Sequence, residues 1–167
     1  SARKKVESVQ DVGIALTSLN GDDLESLGVN KTEDLMKVVP SLDIKQANGQ
    51  GNVNVTLRGV GLNDFSSTSS PTVGVYVDEV FLAYTGMLSF GMFDVERVEV
   101  LKGPQGTLYG RNTTGGAVTF ATAKPVNDEA SGYINVSVGD YESAEVRGAI
   151  SVGLTDELSV RFAGIHR

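Results

Sequence analysis

Residues 99–124 read EVLKGPQGTLYGRNTTGGAVTFATAK, an alternating strand that runs into a glycine-rich turn cluster and out again into a second strand. From Glu96 to Leu101 the residues alternate, with Val98 and Val100 on one face and Arg97 and Glu99 on the other, the period-two pattern of a half-buried strand. Gly103-Pro104 stops it, because glycine opens backbone conformations closed to other residues and proline removes a ladder donor. Gln105 to Gly110 is too short and too glycine-rich for more than one helical turn. After Gly115-Gly116 the chain resumes as AVTFAT, with Val118 and Phe120 on one side and Thr119 and Ala121 on the other. Five glycines from Gly103 to Gly116 imply a tightly folded backbone that closely approaches other elements.

A phosphate loop competes with this reading, since glycine-rich turns between strand and helix cradle anions with backbone amides. It fails on detail. Gly110-Arg-Asn-Thr-Thr-Gly115 has the right glycine spacing but continues as Gly116-Ala117, where a Lys and a Ser or Thr are needed. Gly59-Val-Gly61 continues to Asp64, which would set a carboxylate against a pyrophosphate, so a dinucleotide fingerprint is not expected either.

The run VERVEVLKGPQGTLYGRNTTGGAVTFATAKP resembles the signature region in the plug domain of TonB-dependent outer-membrane receptors: an ERVEVLRGP segment, then LYG, then GG and an INxxTK-like strand. The matching positions are Glu96 to Pro104, Leu108, Tyr109, Gly110, Gly115, Gly116 and Lys124. Lys102 stands where the family often has Arg, and Phe120-Ala121 replaces the more usual Ile-Asn. Upstream, the basic start, the QDV strand and the helix ending at Val39-Pro40-Ser41 are similar to the opening of the same plug. NVTLRGVG and TVGVYVDEVFLA are similar to its next two strands, so the resemblance covers residues 2–125. The short energy-coupling box that precedes the plug in these receptors is not apparent in the sequence.

Local patterns make this part an α+β domain. The segment from Gly13 to Leu19 reads as a strand ending at the turn pair Asn20-Gly21. Asp22 or Asp23 is expected to cap a helix around Leu24–Leu27 that Gly28 closes. Thr32 is expected to cap a second, with Leu35, Met36, Val38 and Val39 apolar and Pro40 ending it. The helices should cover one face of a small mixed sheet built from strands near 14–19, 53–58, 73–78 and 96–101.

Beyond Pro125 the pattern changes. Ile134, Val136 and Val138 alternate with polar neighbours; so do Val146, Ile150 and Val152, and then Leu158, Val160 and Phe162. Turns at Gly139-Asp140 and Thr155-Asp156 space these as antiparallel hairpins. From pattern alone this is a β-meander packed on the preceding domain. With the resemblance, residues 126–167 become about three strands of an outer-membrane β-barrel, apolar outward and polar inward, following a plug at 1–125. Plugged barrels have about 22 strands, so one copy cannot close. The chain is therefore expected to be a truncated product, a cleaved chain or part of a longer polypeptide. Alone, its open edges would drive pairing between copies.

Composition narrows the function classes. A net charge of −7 argues against nucleic acid, whose phosphates need a basic stripe. There is no Cys and one His, at 166, and no Ser sits in a nucleophile elbow, so no enzyme is expected. Asp78-Glu79 lies between strands, where adjacent side chains point to opposite faces.

The resemblance implies an occluding plug in a barrel of the Gram-negative outer membrane, with its N-terminus periplasmic and no cofactor. It implies a TonB-type energy-transducing partner at the N-terminal end and a scarce nutrient, by default an iron–siderophore. Apical loops at 61–72 and 82–92, read as joining strands on the same side of the sheet, offer Asn63, Asp64, Phe65, Tyr84 and Met87 as ligand contacts. A flexible solvated loop is the alternative for the Ser/Thr run. Arg58, Arg97, Glu99 and Lys102 are candidate plug–barrel contacts, with Gly103, Pro104, Tyr109, Gly110, Gly115 and Gly116 as the structural motif.

Overall fold

A computed structural model describes residues 15–47, 52–62, 69–83, 92–127, 130–139 and 144–166. The chain divides into two units between Thr122 and Ala123.

In the first unit, strand β1 (Ala15–Asn20) passes without a loop into helix α1 (Gly21–Ser26). Asn20 makes the junction: its side-chain oxygen accepts the Asp23 N–H at 2.8 Å, and the Asp23 carboxylate accepts the Asn20 N–H at 3.1 Å. The cap expected at Asp22 or Asp23 therefore sits at Asn20, because helical backbone already begins at Gly21. At the other end Gly28 takes φ +66°, Val29 N–H donates to Leu24 O and Gly28 N–H to Glu25 O. This is a Schellman termination, with Leu24 and Val29 buried beside it.

The second helix is shorter than its apolar run suggests. A 3-10 turn (Thr32–Asp34) leads into α2 (Leu35–Val38), so the N-cap of the turn is Lys31 and not Thr32. The Asp34 carboxylate accepts the N–H groups of Asn30 and Lys31 at 3.0 Å each. The Lys37 ammonium at 2.6 Å, with those backbone bonds, holds the Asp34 carboxyl below the usual carboxylate range. Leu35 and Val39 are fully buried, while Met36 stays at the surface and its sulfur accepts the Ile44 N–H.

Strand β2 (Leu42–Ala47) has no counterpart in the expected elements. It pairs antiparallel with β3 (Asn52–Leu57), from Leu42↔Leu57 to Ala47↔Asn52. The two form a separate ribbon, so the strand expected near 53–58 does not join the main sheet. The main sheet contains β1, β4 (Val73–Val77), β5 (Val80–Phe81), β6 (Val95–Lys102) and β7 (Gly116–Thr122) in the order β1-β6-β7-β4-β5. It is mixed: β4 and β7 run parallel and the other pairs antiparallel. Both edges of β4 are taken, by β7 and β5, so β3 does not pair with the strand that follows it. The ribbon instead packs Leu42, Ile44, Val53 and Leu57 onto the core with α1 and α2, against Val73, Val75, Val98, Val100, Val118 and Phe120 of the sheet. Each such side chain contributes about 1.5–3 kcal/mol by leaving water. The opposite sheet face carries a smaller cluster of Tyr76, Leu101 and Ala117 with Leu16, Phe81 and Tyr109.

The second unit is a three-stranded antiparallel sheet of β8 (Ser131–Val138), β9 (Ala144–Thr155) and β10 (Leu158–His166), in the order β10-β9-β8. Its register sorts the side chains. Ile134, Val136 and Val138 stand opposite Gly148, Val146 and Ala144, and Phe162 opposite Ile150. On the other face Asn135 stands opposite Arg147, Ser137 opposite Glu145, and Arg161 opposite Ser151. Arg147 Nε lies 2.5 Å from Glu145 Oε1. The preceding segment is fastened to this sheet by the fully buried Ser151, whose Oγ accepts the Val126 N–H at 2.9 Å.

Candidate functional site

The glycine-rich segment is a closed loop between two neighbouring strands. Gly103 N–H donates to Gly115 O and Gln105 N–H to Thr113 O, so the ladder of β6 and β7 continues past Gly103-Pro104. Helix α3 (Gly106–Tyr109) is a single turn ending at Gly110, whose carbonyl accepts the Thr113 hydroxyl at 2.6 Å. Gly115 N–H donates to Thr72 O. The amides of Gly103, Gln105, Leu108, Tyr109, Gly110 and Gly115 are thus all spent on protein carbonyls, which leaves none of them to cradle an anion. Thr113, fully buried, occupies the space over Gly74, where a Cβ would lie 2.6 Å from its methyl group. The Tyr76 hydroxyl donates to the Tyr109 carbonyl, and the two rings meet edge to face with centroids 5.1 Å apart. Burial raises the Tyr109 phenol above its ordinary range, reinforced by the charges of Glu99 and Glu79.

Of the four charged residues expected as plug–barrel contacts, the fold brings two together. Arg97 Nε donates to Glu99 Oε1 at 2.8 Å on the face of β6 that carries Leu101, and Glu99 is 6% exposed there. Lys102 lies an odd number of residues from both and falls on the other face of the strand. Arg58 belongs to neither face: with Gly59 it forms a two-residue turn at φ +52° and +78°, closed by reciprocal Leu57 and Val60 bonds, and its N–H donates to Ser41 O.

The turn joining β4 to β5 holds a contact that the sequence did not advertise. Asp78 and Glu79 both take left-handed backbone, φ +46° and +68°, in a two-residue turn without glycine. Such residues cost of order 1 kcal/mol each. The Asp78 carboxylate compensates by accepting Thr122 N–H at 2.9 Å and Thr122 Oγ1–H at 2.7 Å, at the last residue of β7. Asp78→Ala is therefore expected to loosen the end of β7 by about 1 kcal/mol. Hydrogen exchange at the Thr122 amide should then speed up by roughly five-fold while that of Val118 in the core barely changes. The only prior hint was an acidic pair between two strand runs, a spacing that permits a hairpin but says nothing of what its carboxylate reaches.

The proposed ligand contacts Asn63, Asp64, Phe65, Tyr84 and Met87 lie outside the described residues; their flanks do not. Because β4 and β6 are both neighbours of β7, one parallel and one antiparallel, they begin at opposite ends of the sheet. The segments leading into them therefore arrive at opposite ends, contrary to the expectation that both loops join strands on the same side. The stems nevertheless converge at one place. Leu62, Pro71 and Thr72 from the first loop and Leu82 from the second line a cleft floored by Val53, Asn54 and Val55 of β3 and Val73 and Val75 of β4. Asn54 is fixed there, its Nδ2 donating to Leu62 O at 3.0 Å. The Thr72 hydroxyl is buried with no hydrogen-bond partner.

Comparison with known proteins places this arrangement. The profile of the TonB-dependent Receptor Plug Domain family matches residues 8–117, well over half of the chain. The pesticin receptor of Yersinia pestis is 30% identical over 159 residues, which are 95% of this chain and 23% of that receptor. The vitamin B12 transporter BtuB of Vibrio vulnificus (strain YJ016) is 28% identical over 84% of the chain and 22% of its own length. The crystal structure of the ferric yersiniabactin uptake receptor FyuA from Yersinia pestis superposes with a TM-score of 0.81 at 29% identity, over 97% of this chain and 26% of that one. The ferripyoverdine receptor of the Pseudomonas aeruginosa outer membrane, bound to ferripyoverdine, shares the fold with a TM-score of 0.75 at 20% identity, over 98% of this chain and 21% of that one. The chain thus spans about a quarter of the length of the receptors it matches. A plug profile across the mixed sheet and its glycine-rich loop, with antiparallel strands after it, establishes that this chain belongs to the TonB-dependent receptor plug domain family.

Proposed function

We propose that the chain is the plug and the first wall strands of an energy-coupled outer-membrane receptor. The plug gates the barrel and contributes to binding a scarce nutrient. The observation that carries this reading is the sorting of side chains across β8–β10. One face presents Ile134, Val136, Val138, Ile150 and Phe162, each at least 50% exposed, while the facing charges and amides all lie on the other. A membrane wall exposes it to lipid and turns the polar face to the lumen. The strands, of 8, 12 and 9 residues, are close to the roughly 9–11 a tilted crossing requires.

On this reading Asn63, Asp64, Phe65, Tyr84 and Met87 contact the ligand, and Arg58, Arg97, Glu99 and Lys102 contact the barrel wall. The N-terminal end engages a TonB-type partner in the periplasm. Iron–siderophore is the default cargo, supported by relatives named for pyoverdine and yersiniabactin; the vitamin B12 relative makes cobalamin the next. Growth and uptake in a strain lacking the whole receptor, across iron chelates, cobalamin and oligosaccharides, should show a defect for one class that the receptor restores. No defect with any of them would overturn the transport reading.

One observation favours a second reading. Among the described residues, β8 and β10 each pair on one side only, leaving two open edges. A self-associating module without transport activity would use them. The native polypeptide separates the two: several hundred further residues of alternating strands support the receptor, and a native chain that stops at Arg167 supports the module.

A further inference from the structure

We propose that Ala123, Lys124 and Pro125 form a hinge moored at both ends, and that its plug-side mooring opens more readily than its wall-side one. The first unit ends at Thr122, whose N–H and hydroxyl both donate to the Asp78 carboxylate. Four residues on, in the second unit, the Val126 N–H donates at 2.9 Å to the Oγ of Ser151, which is fully buried. Asn127 is held beside it: its Nδ2 donates to Asp156 O at 3.2 Å, and its carbonyl oxygen lies 2.5 Å from where a Cβ on Gly153 would stand. Between these anchors Ala123, Lys124 and Pro125 lie in no helix or strand, and no hydrogen bond among the described residues holds them.

The two moorings differ in what opening them exposes. The Asp78–Thr122 contact is exposed, so water replaces its bonds as they part. Ser151 has no exposed surface, and parting from Val126 takes a donor from a buried oxygen that water does not reach. Ser151 and Gly153 share the strand parity of Glu145 and Arg147, so residues 126–127 meet β9 on its polar face. On the receptor reading, on which this inference rests, that face lines the lumen. With both moorings closed, the Cα atoms of Thr122 and Val126 part by at most about 14 Å. Pro125 keeps Lys124 extended, which leaves little slack. A larger displacement of the plug therefore pulls Thr122 off Asp78 and opens β7 from its last residue, while Val126 stays on the wall strand.

Hydrogen exchange of the whole receptor in detergent, read at single-residue resolution by mass spectrometry, tests the hinge. Ala123 and Lys124 should exchange at close to the rate of an unstructured peptide, and Val126 should be roughly ten-fold better protected than Thr122. Ser151→Ala should speed Val126 about five-fold, the size of one hydrogen bond, and leave Thr122 unchanged; Asp78→Ala should do the reverse. The amides of Val136 and Val146, paired in β8 and β9, report whether the Ser151→Ala sheet still forms. If it does not, Gly153→Ala, which crowds the Asn127 carbonyl, should free Val126 in the same way. Strand-like protection at Ala123 and Lys124, Val126 exchanging as fast as Thr122, or a single variant that frees both amides would each overturn the hinge. Exchange is read without transport, so a failed uptake assay beside the expected pattern counts against the receptor reading and not against the hinge.

Discussion

Gly116→Ala is expected to destabilise the first unit severely, the largest such effect among the glycine-rich loop variants compared below. Gly116 begins β7, paired with Lys102 on one side and Val73 on the other, at φ +146°. A Cβ there would lie 2.3 Å from the Leu101 carbonyl oxygen and 2.6 Å from Leu57 Cδ2. The first contact is with backbone in the middle of the sheet, so relief requires separating β6 from β7. With the unfavourable φ added, the expected loss is about 3 kcal/mol or more, a large fraction of a typical domain stability of roughly 5–15 kcal/mol. Gly106→Ala is the control from the same motif: its Cβ would meet nothing within 4 Å, it lies in the single turn of α3, and alanine is the better helix former. Denaturant unfolding of the two variants, with sensitivity to large antibiotics as the cellular measure of an open plug, distinguishes them. Equal stability of both would show that the crowding at Gly116 is relieved without cost.

Val136→Arg should disrupt the second unit in a membrane where Ser137→Arg does not. Val136 is 60% exposed, pairs with Val146 and shares its face with Ile134 and Val138, whereas Ser137 pairs with Glu145 on the polar face. If the apolar face meets lipid, an arginine near mid-strand costs about 2–4 kcal/mol, while the same change one residue along enters the lumen beside a carboxylate. Heat-modifiable mobility of the assembled receptor in outer-membrane fractions gives the readout. A large drop for Val136→Arg with near-parental assembly for Ser137→Arg is expected. Equal yields would mean that the face of Ile134 and Val136 does not touch the bilayer.

Much of this was readable residue by residue. The alternation at 96–101 and at 117–122 put Val98, Val100, Val118 and Phe120 on one face, which is the core face in the structure. The separation of Lys102 from Arg97 and Glu99 also follows from strand parity, yet grouping the three by charge obscured it. The strand at Leu42–Ala47 was hidden because its two buried residues, Leu42 and Ile44, are too few to stand out after Pro40-Ser41. The caps were misplaced by one to three residues because several polar residues before each helix were chemically able to serve.

The sequence by itself determined most of the strands, though not Leu42–Ala47, where the glycine-rich loop lies, and that the face of Ile134, Val136 and Phe162 differs in kind from the face of Asn135 and Arg147. Those properties are local: side-chain parity and turn chemistry act over a few residues. Only the tertiary structure decided that β3 leaves the main sheet, that the segments into β4 and β6 arrive at opposite ends, that Asp78 clasps Thr122, and that Leu62, Thr72 and Leu82 meet at one cleft. Each depends on which strand lies beside which and in what direction. That choice is set by non-local pairing and by competition for the edges of β4, which no single segment encodes.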